Sequence, residues 1–110
     1  MDEFMGKLKA LADETRFKVI QLLLTHDYCV GALAKQLNIS EAAVSQHLQI
    51  LRKAGVVKGE KRGYFTHYVV DREILKKVAE DIIKEASRMP QEKNKCQKHK
   101  VGKKQCCKML

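Results

Sequence analysis

Apolar positions recur with a helical period through most of the chain and switch once to a strand-like period. Phe4, Met5, Leu8, Leu11 and Ala12 make one stripe and predict a helix over 2–12. Asp13 stands where an N-cap belongs for a second helix, DETRFKVIQLLL, because its carboxylate accepts from the first free backbone N–H groups. Phe17, Val19, Ile20, Leu22, Leu23 and Leu24 leave that helix apolar around most of its circumference, which predicts the buried centre. Val30, Leu33, Ala34 and Leu37 predict a short third helix over 30–37. Asn38, Ile39 and Ser40 interrupt it, and Ser40 caps a fourth helix that ends at Gly55. In the fourth helix Val44, His47, Leu48 and Leu51 share one face, and Ala42, Ser45, Gln46, Gln49 and Lys53 share the other.

At residue 56 the period changes. Residues 56–61 and 64–70 are short β-rich runs joined around Arg62-Gly63, a hairpin signal. Asp71 caps a fifth helix in which Ile74, Leu75, Val78, Ala79, Ile82, Ile83 and Ala86 repeat over four turns. Pro90 lies beyond its end, and the remainder has no apolar period. The expected fold is mostly α with a small β-hairpin, in the order α-α-α-α-β-β-α: a winged helix-turn-helix. Residues 1–90 form its single domain, and 91–110 a separate tail.

Charge adds a functional clue. Twenty-two Lys and Arg against thirteen Asp and Glu give +9; residues 91–110 hold seven Lys against Glu92, or +6, leaving +3 for residues 1–90. Such a surplus suits nucleic acid or an anionic membrane surface, although a Lys-rich end is also what a solvated tail looks like. With six aromatics and no Trp, single-strand binding by base stacking is disfavoured.

Two helices joined by a tight turn and followed by a basic hairpin suit duplex DNA. An α-helix fits the major groove while the preceding helix braces it across the phosphates. Lys58, Lys61 and Arg62 on the hairpin can follow the adjacent backbone or minor groove. Ser45, Gln46 and Gln49 are uncharged hydrogen-bonding groups on the outward face of the fourth helix, as base-edge reading requires. A polar outward face is also common on helices that only meet solvent, and helix-turn-helix units occur in proteins that bind no DNA.

LADETRFKVIQLLL at 11–24, followed by YCVGALAKQLNISEAAVSQHLQILRKAGVVKGEKRGYFTHYVV at 28–70, resembles the ArsR/SmtB family of bacterial metal-responsive repressors. The resemblance covers about residues 4–89. It rests on the Leu-Ala-Asp-x-Thr-Arg opening, the Leu-Ala-x-x-Leu helix, the Val-Ser-x-His-Leu segment and the Ala-Gly-Val-Val lead into the wing. It implies a homodimer paired through the first and fifth helices, occupying a palindromic operator until an ion or a thiol modification weakens binding. By the family's pattern DNA contacts fall on Glu41, Ala42, Ser45 and Gln46, with Lys61 and Arg62 in the wing. The long apolar stripe of the fifth helix agrees independently with a dimer, though it also suits packing within one chain. His47 is expected to pack rather than ligate, and His26 and His67 have no partner at metal-ligand spacing.

Two sensor sites of the family are incomplete here. The arsenic-type Cys-Val-Cys reads Cys29-Val30-Gly31, and the fifth helix lacks the His residues of the zinc-type site. Cys96, Cys106 and Cys107 in the tail remain as three candidate thiolates for As(III) or Sb(III). Closing the intervening loop costs little, and the seven lysines favour the thiolate forms. Family members with arsenic-binding cysteines near the C-terminus support that reading. Adding His99 gives a Cys₃His set for zinc, cadmium or lead, and Cys29 is available as an extra thiolate. Thiol oxidation and an inert tail are the other readings.

No run approaches the ~18 apolar residues of a membrane span, and the N-terminus lacks a signal peptide's pattern, so a cytoplasmic protein without membrane contact is expected. There is no Gly-rich phosphate loop, paired carboxylate cleft or nucleophile-base motif, which argues against an enzyme. A metal-scavenging protein that regulates no operator remains a competing class.

Overall fold

The computed structural model describes residues 2–91. Helices α1 (Asp2–Leu11), α2 (Glu14–Thr25), α3 (Val30–Leu37) and α4 (Glu41–Lys53) precede strands β1 (Val57–Arg62) and β2 (Phe65–Val70), and α5 (Arg72–Ala86) follows. This is the expected α-α-α-α-β-β-α order of a winged helix-turn-helix.

Local chemistry sets the boundaries. Asp13 Oδ2 accepts from the Arg16 amide at 3.0 Å, Ser40 Oγ from Ala43 at 3.0 Å, and Asp71 Oδ1 from Ile74 at 3.3 Å. Each satisfies one of the N–H groups that a helix start leaves without an intrahelical partner. Asn38, at φ 57°, turns the chain out of α3 in the left-handed conformation that Asn tolerates better than most residues. Arg16 also donates from Nε to the Ala10 carbonyl at 2.7 Å, so the Asp-x-Thr-Arg opening starts α2 and closes the end of α1. Arg72 Nη2 reaches the Leu24 carbonyl at 2.7 Å and ties the start of α5 to the end of α2.

The core gathers Val19, Ile20 and Leu23 of α2, Leu33 of α3, Val44, Leu48 and Leu51 of α4, Val56 and Val57, and Val78 of α5. The expectation that α2 is buried around most of its circumference needs correction: Phe17 is 46% exposed. In the single chain α2 has neighbours on one side, and its other side opens onto a groove shared with α1 and α5.

β1 and β2 pair antiparallel from Val57↔Val70 to Arg62↔Phe65. The turn therefore falls on Gly63 and Tyr64, one residue later than the expected Arg62-Gly63. Gly63 has φ 64°, which a two-residue hairpin turn with glycine first requires. Val56 is fully buried but precedes the strand: its amide bonds the Leu51 carbonyl and its carbonyl accepts from Asp71. A bridge between Cys29 and His67 lays the α2–α3 turn along the outer edge of β2. No helix among the described residues is long and apolar enough to cross a membrane.

Candidate nucleic-acid interface

Burial divides α4 as its sequence pattern requires. Val44, Leu48 and Leu51 are buried and His47 is half-buried, whereas Glu41, Ala42, Ser45, Gln46, Gln49 and Lys53 are exposed. Ala42, Ser45, Gln46 and Gln49 stand three and four residues apart, so they form one stripe along the outer face. The Ser40 cap fixes the first turn of this stripe, and α3 packs beside it. His47 Nδ1 is enclosed without a hydrogen-bond partner, consistent with a packing residue.

The wing's cations lie on two different faces. The register puts Lys58, Glu60 and Arg62 on one face with Val69, His67 and Phe65, and Gly59 and Lys61 on the other with Tyr68 and Thr66. Thr66 and Tyr68, from the face that bears Lys61, line the same concavity as Glu41 and Ser45, together with Tyr64 and Phe65 at the tip of the wing. Tyr64 at the apex is fully exposed.

Arg62 is engaged within the protein. Its Nη1 donates to Asp27 Oδ2 in a close ion pair, and its Nη2 donates to Glu60 Oε1 at 2.9 Å. The second Asp27 oxygen lies 3.2 Å from His67 Nδ1. The Arg62 hydrogen bond holds the Asp27 carboxyl below its usual range, against weaker opposition from desolvation. Glu60 first, and then Asp27, push the Arg62 guanidinium further up. The sequence carries no local signal of chemistry at His67 or at Asp27. The partners of Asp27 lie 35 and 40 residues away, beyond any local pattern.

Cys29 is a half-buried free thiol at the N-cap of α3, where its side chain makes no capping bond. Among the described residues no group of three or more His, Cys, Asp or Glu is placed to hold a metal ion. Cys96, His99, Cys106 and Cys107 lie outside the described residues.

Residues 13–58 match the family described as "Bacterial regulatory protein, arsR family". The chain is 37% identical over 67 residues to the transcriptional repressor SdpR of Bacillus subtilis, covering 61% of this chain and 74% of that one. It is 40% identical over 86 residues to the arsenical resistance operon repressor of Escherichia coli, covering 77% and 73%. Among solved structures, an ArsR-like transcriptional regulator from Rhodococcus superposes with a TM-score of 0.71 at 29% identity, covering 78% of this chain and 81% of that one.

Proposed function

The chain belongs to the ArsR family of DNA-binding transcriptional regulators, and from that premise we propose that it is a repressor released from its operator by a thiophilic ion. The observation that carries the reading is the stripe of Ala42, Ser45, Gln46 and Gln49, clear of the core and beside a basic hairpin. Gln46 and Gln49 can each pair with an adenine edge, Ser45 with several bases, and Ala42 with a thymine methyl. Glu41 shares the first turn and can accept from cytosine N4. Lys58 and Lys61, on opposite faces of the wing, each offer a charge suited to phosphate, and Arg62 adds a third once freed from its carboxylates.

A second copy is part of the proposal. Phe17 of α2 and Ile82 and Ile83 of α5 are exposed beside a groove lined by Leu8, Leu11 and Leu75, an apolar surface that pairing through α1 and α5 would cover. Two-fold pairing presents two copies of α4, which calls for a palindromic operator.

For the signal, three thiolates from Cys96, Cys106 and Cys107 suit As(III) or Sb(III). The likeness to an arsenical repressor supports arsenic as the ion, and the incomplete Cys29-Val30-Gly31 site leaves the tail cysteines as the candidate donors. Zinc, cadmium or lead would draw on His99, with Cys29 as a further donor; oxidation would pair cysteines instead. The test is titration of As(III), Zn(II) and Cd(II) into the reduced protein bound to a fluorescent duplex enriched from a random pool. Release by As(III), lost in Cys96→Ser, Cys106→Ser and Cys107→Ser but kept in His99→Ala and Cys29→Ser, is the expected result. Release that requires His99 supports the Cys₃His set, and release from a chain ending at Pro90 refutes the tail site.

A further inference from the structure

Arg62 sits between two carboxylates: Asp27 comes from the α2–α3 turn and Glu60 from the same strand two residues earlier. Lys58 and Lys61 have no such ion pair among the described residues, although they share the hairpin. The α2–α3 turn is held against β2 by the Cys29–His67 bridge, and His67 Nδ1 occupies the other oxygen of Asp27. The carboxylate is thereby aimed by backbone of the α2–α3 turn, not by the hairpin that carries Arg62.

We propose that Asp27 is an acidic latch on the wing, which withholds Arg62 from DNA until a correctly placed phosphate displaces the carboxylate. The inference rests on the reading of the wing as a DNA contact and adds a residue that tempers it. The latch is soft. Arg62 and Asp27 side chains are 42% and 61% exposed, and ion pairs this open are screened by water and salt. A duplex phosphate offers the same guanidinium an equivalent acceptor, so exchange is feasible when the phosphate lies within reach. Where α4 is seated in its base pairs, the wing is held over one backbone position and the exchange can occur. On a random sequence, where the protein slides and its register is undefined, Arg62 stays on Asp27 and contributes less. Asp27 would thus widen the gap between specific and non-specific binding by weakening the latter, and would do so without touching DNA.

The charge balance fits that assignment. Asp27 and Glu60 offset two of the three positive charges on Lys58, Lys61 and Arg62, so the free wing is only weakly attractive. Asp27 is the part of the clamp that comes from outside the hairpin. Asp27→Asn keeps the shape and an acceptor for His67 Nδ1 while removing one of the two charges that hold Arg62 and leaving Glu60 in place.

The experiment compares wild type, Asp27→Asn, Arg62→Gln and the double variant, as full-length reduced protein, on random-sequence and enriched duplexes over a salt series. Asp27→Asn is expected to tighten binding to random duplex about two- to fivefold per wing, as expected for an exposed pair released, and to gain less on the enriched duplex. It should also steepen the slope of log affinity against log salt by about 0.9 for each additional phosphate neutralised. Both changes should vanish in the Arg62→Gln background. Weaker binding by Asp27→Asn, or an equal gain with Arg62 absent, overturns the latch: the first would make Asp27 a support for the wing and the second a simple repulsive charge. If wild type binds duplex while Asp27→Asn leaves the slope unchanged, the inference alone fails. If no variant binds any duplex, the DNA-binding reading fails and the latch with it.

Discussion

Gln46 and Lys61 differ in what each can reach on a duplex. Gln46 is exposed in the second turn of α4, on the stripe with Ala42, Ser45 and Gln49, where an amide can read a base edge. Lys61 is exposed near the end of β1 and offers a point charge suited to phosphate. Gln46→Ala is therefore expected to cost about 1–3 kcal/mol of discrimination while sparing non-specific affinity. Lys61→Ala should weaken binding to every duplex alike and flatten the salt slope by about one. Competition titrations with enriched and shuffled duplexes separate the two, and loss of both affinities in the same ratio by both variants would refute the division of roles. Residues whose role is local were legible in the sequence: Asp13, Ser40 and Asp71 each cap the helix that follows. Asp27 was not, because a carboxylate in a turn acquires its meaning from Arg62 and His67, which only the fold brings to it.

Element by element, periodicity located all seven units, with shifts of a residue or two at their ends. The hairpin shows why ends are harder than interiors. Val56 looks like the first residue of a strand, but Gly55 at φ 81° turns the chain there, and Val56 spends its backbone groups on Leu51 and Asp71. Apolar content also overstates burial where a helix meets only part of its surroundings within one chain. Phe17, predicted among the central residues of α2, is 46% exposed, and Ile82 and Ile83 of α5 are 44% and 63% exposed. In the proposed dimer this surface meets its counterpart. Ile82→Glu would then bring a charge into an apolar contact and is expected to give a monomer in sedimentation, with weaker binding to the enriched duplex. A variant that sediments as the wild type does would remove α5 from the interface.

At the scale of the whole molecule, the proposed function makes α4 the part that reads sequence, with the rest of the fold setting where it lies. Arg16 and Arg72 bind α2 to its neighbours, α3 braces α4, and the wing stands beside its outer face. A net charge of +9 would bring the protein to any duplex, and that attraction alone regulates nothing. The decisive quantity is therefore the ratio of affinities for an enriched duplex and its shuffled counterpart, measured on the full-length reduced protein at one fixed physiological salt concentration. A ratio of about a thousand or more is expected, as sequence-specific binders achieve. Equal affinity for the two duplexes would leave only charge at work and would contradict the reading of α4.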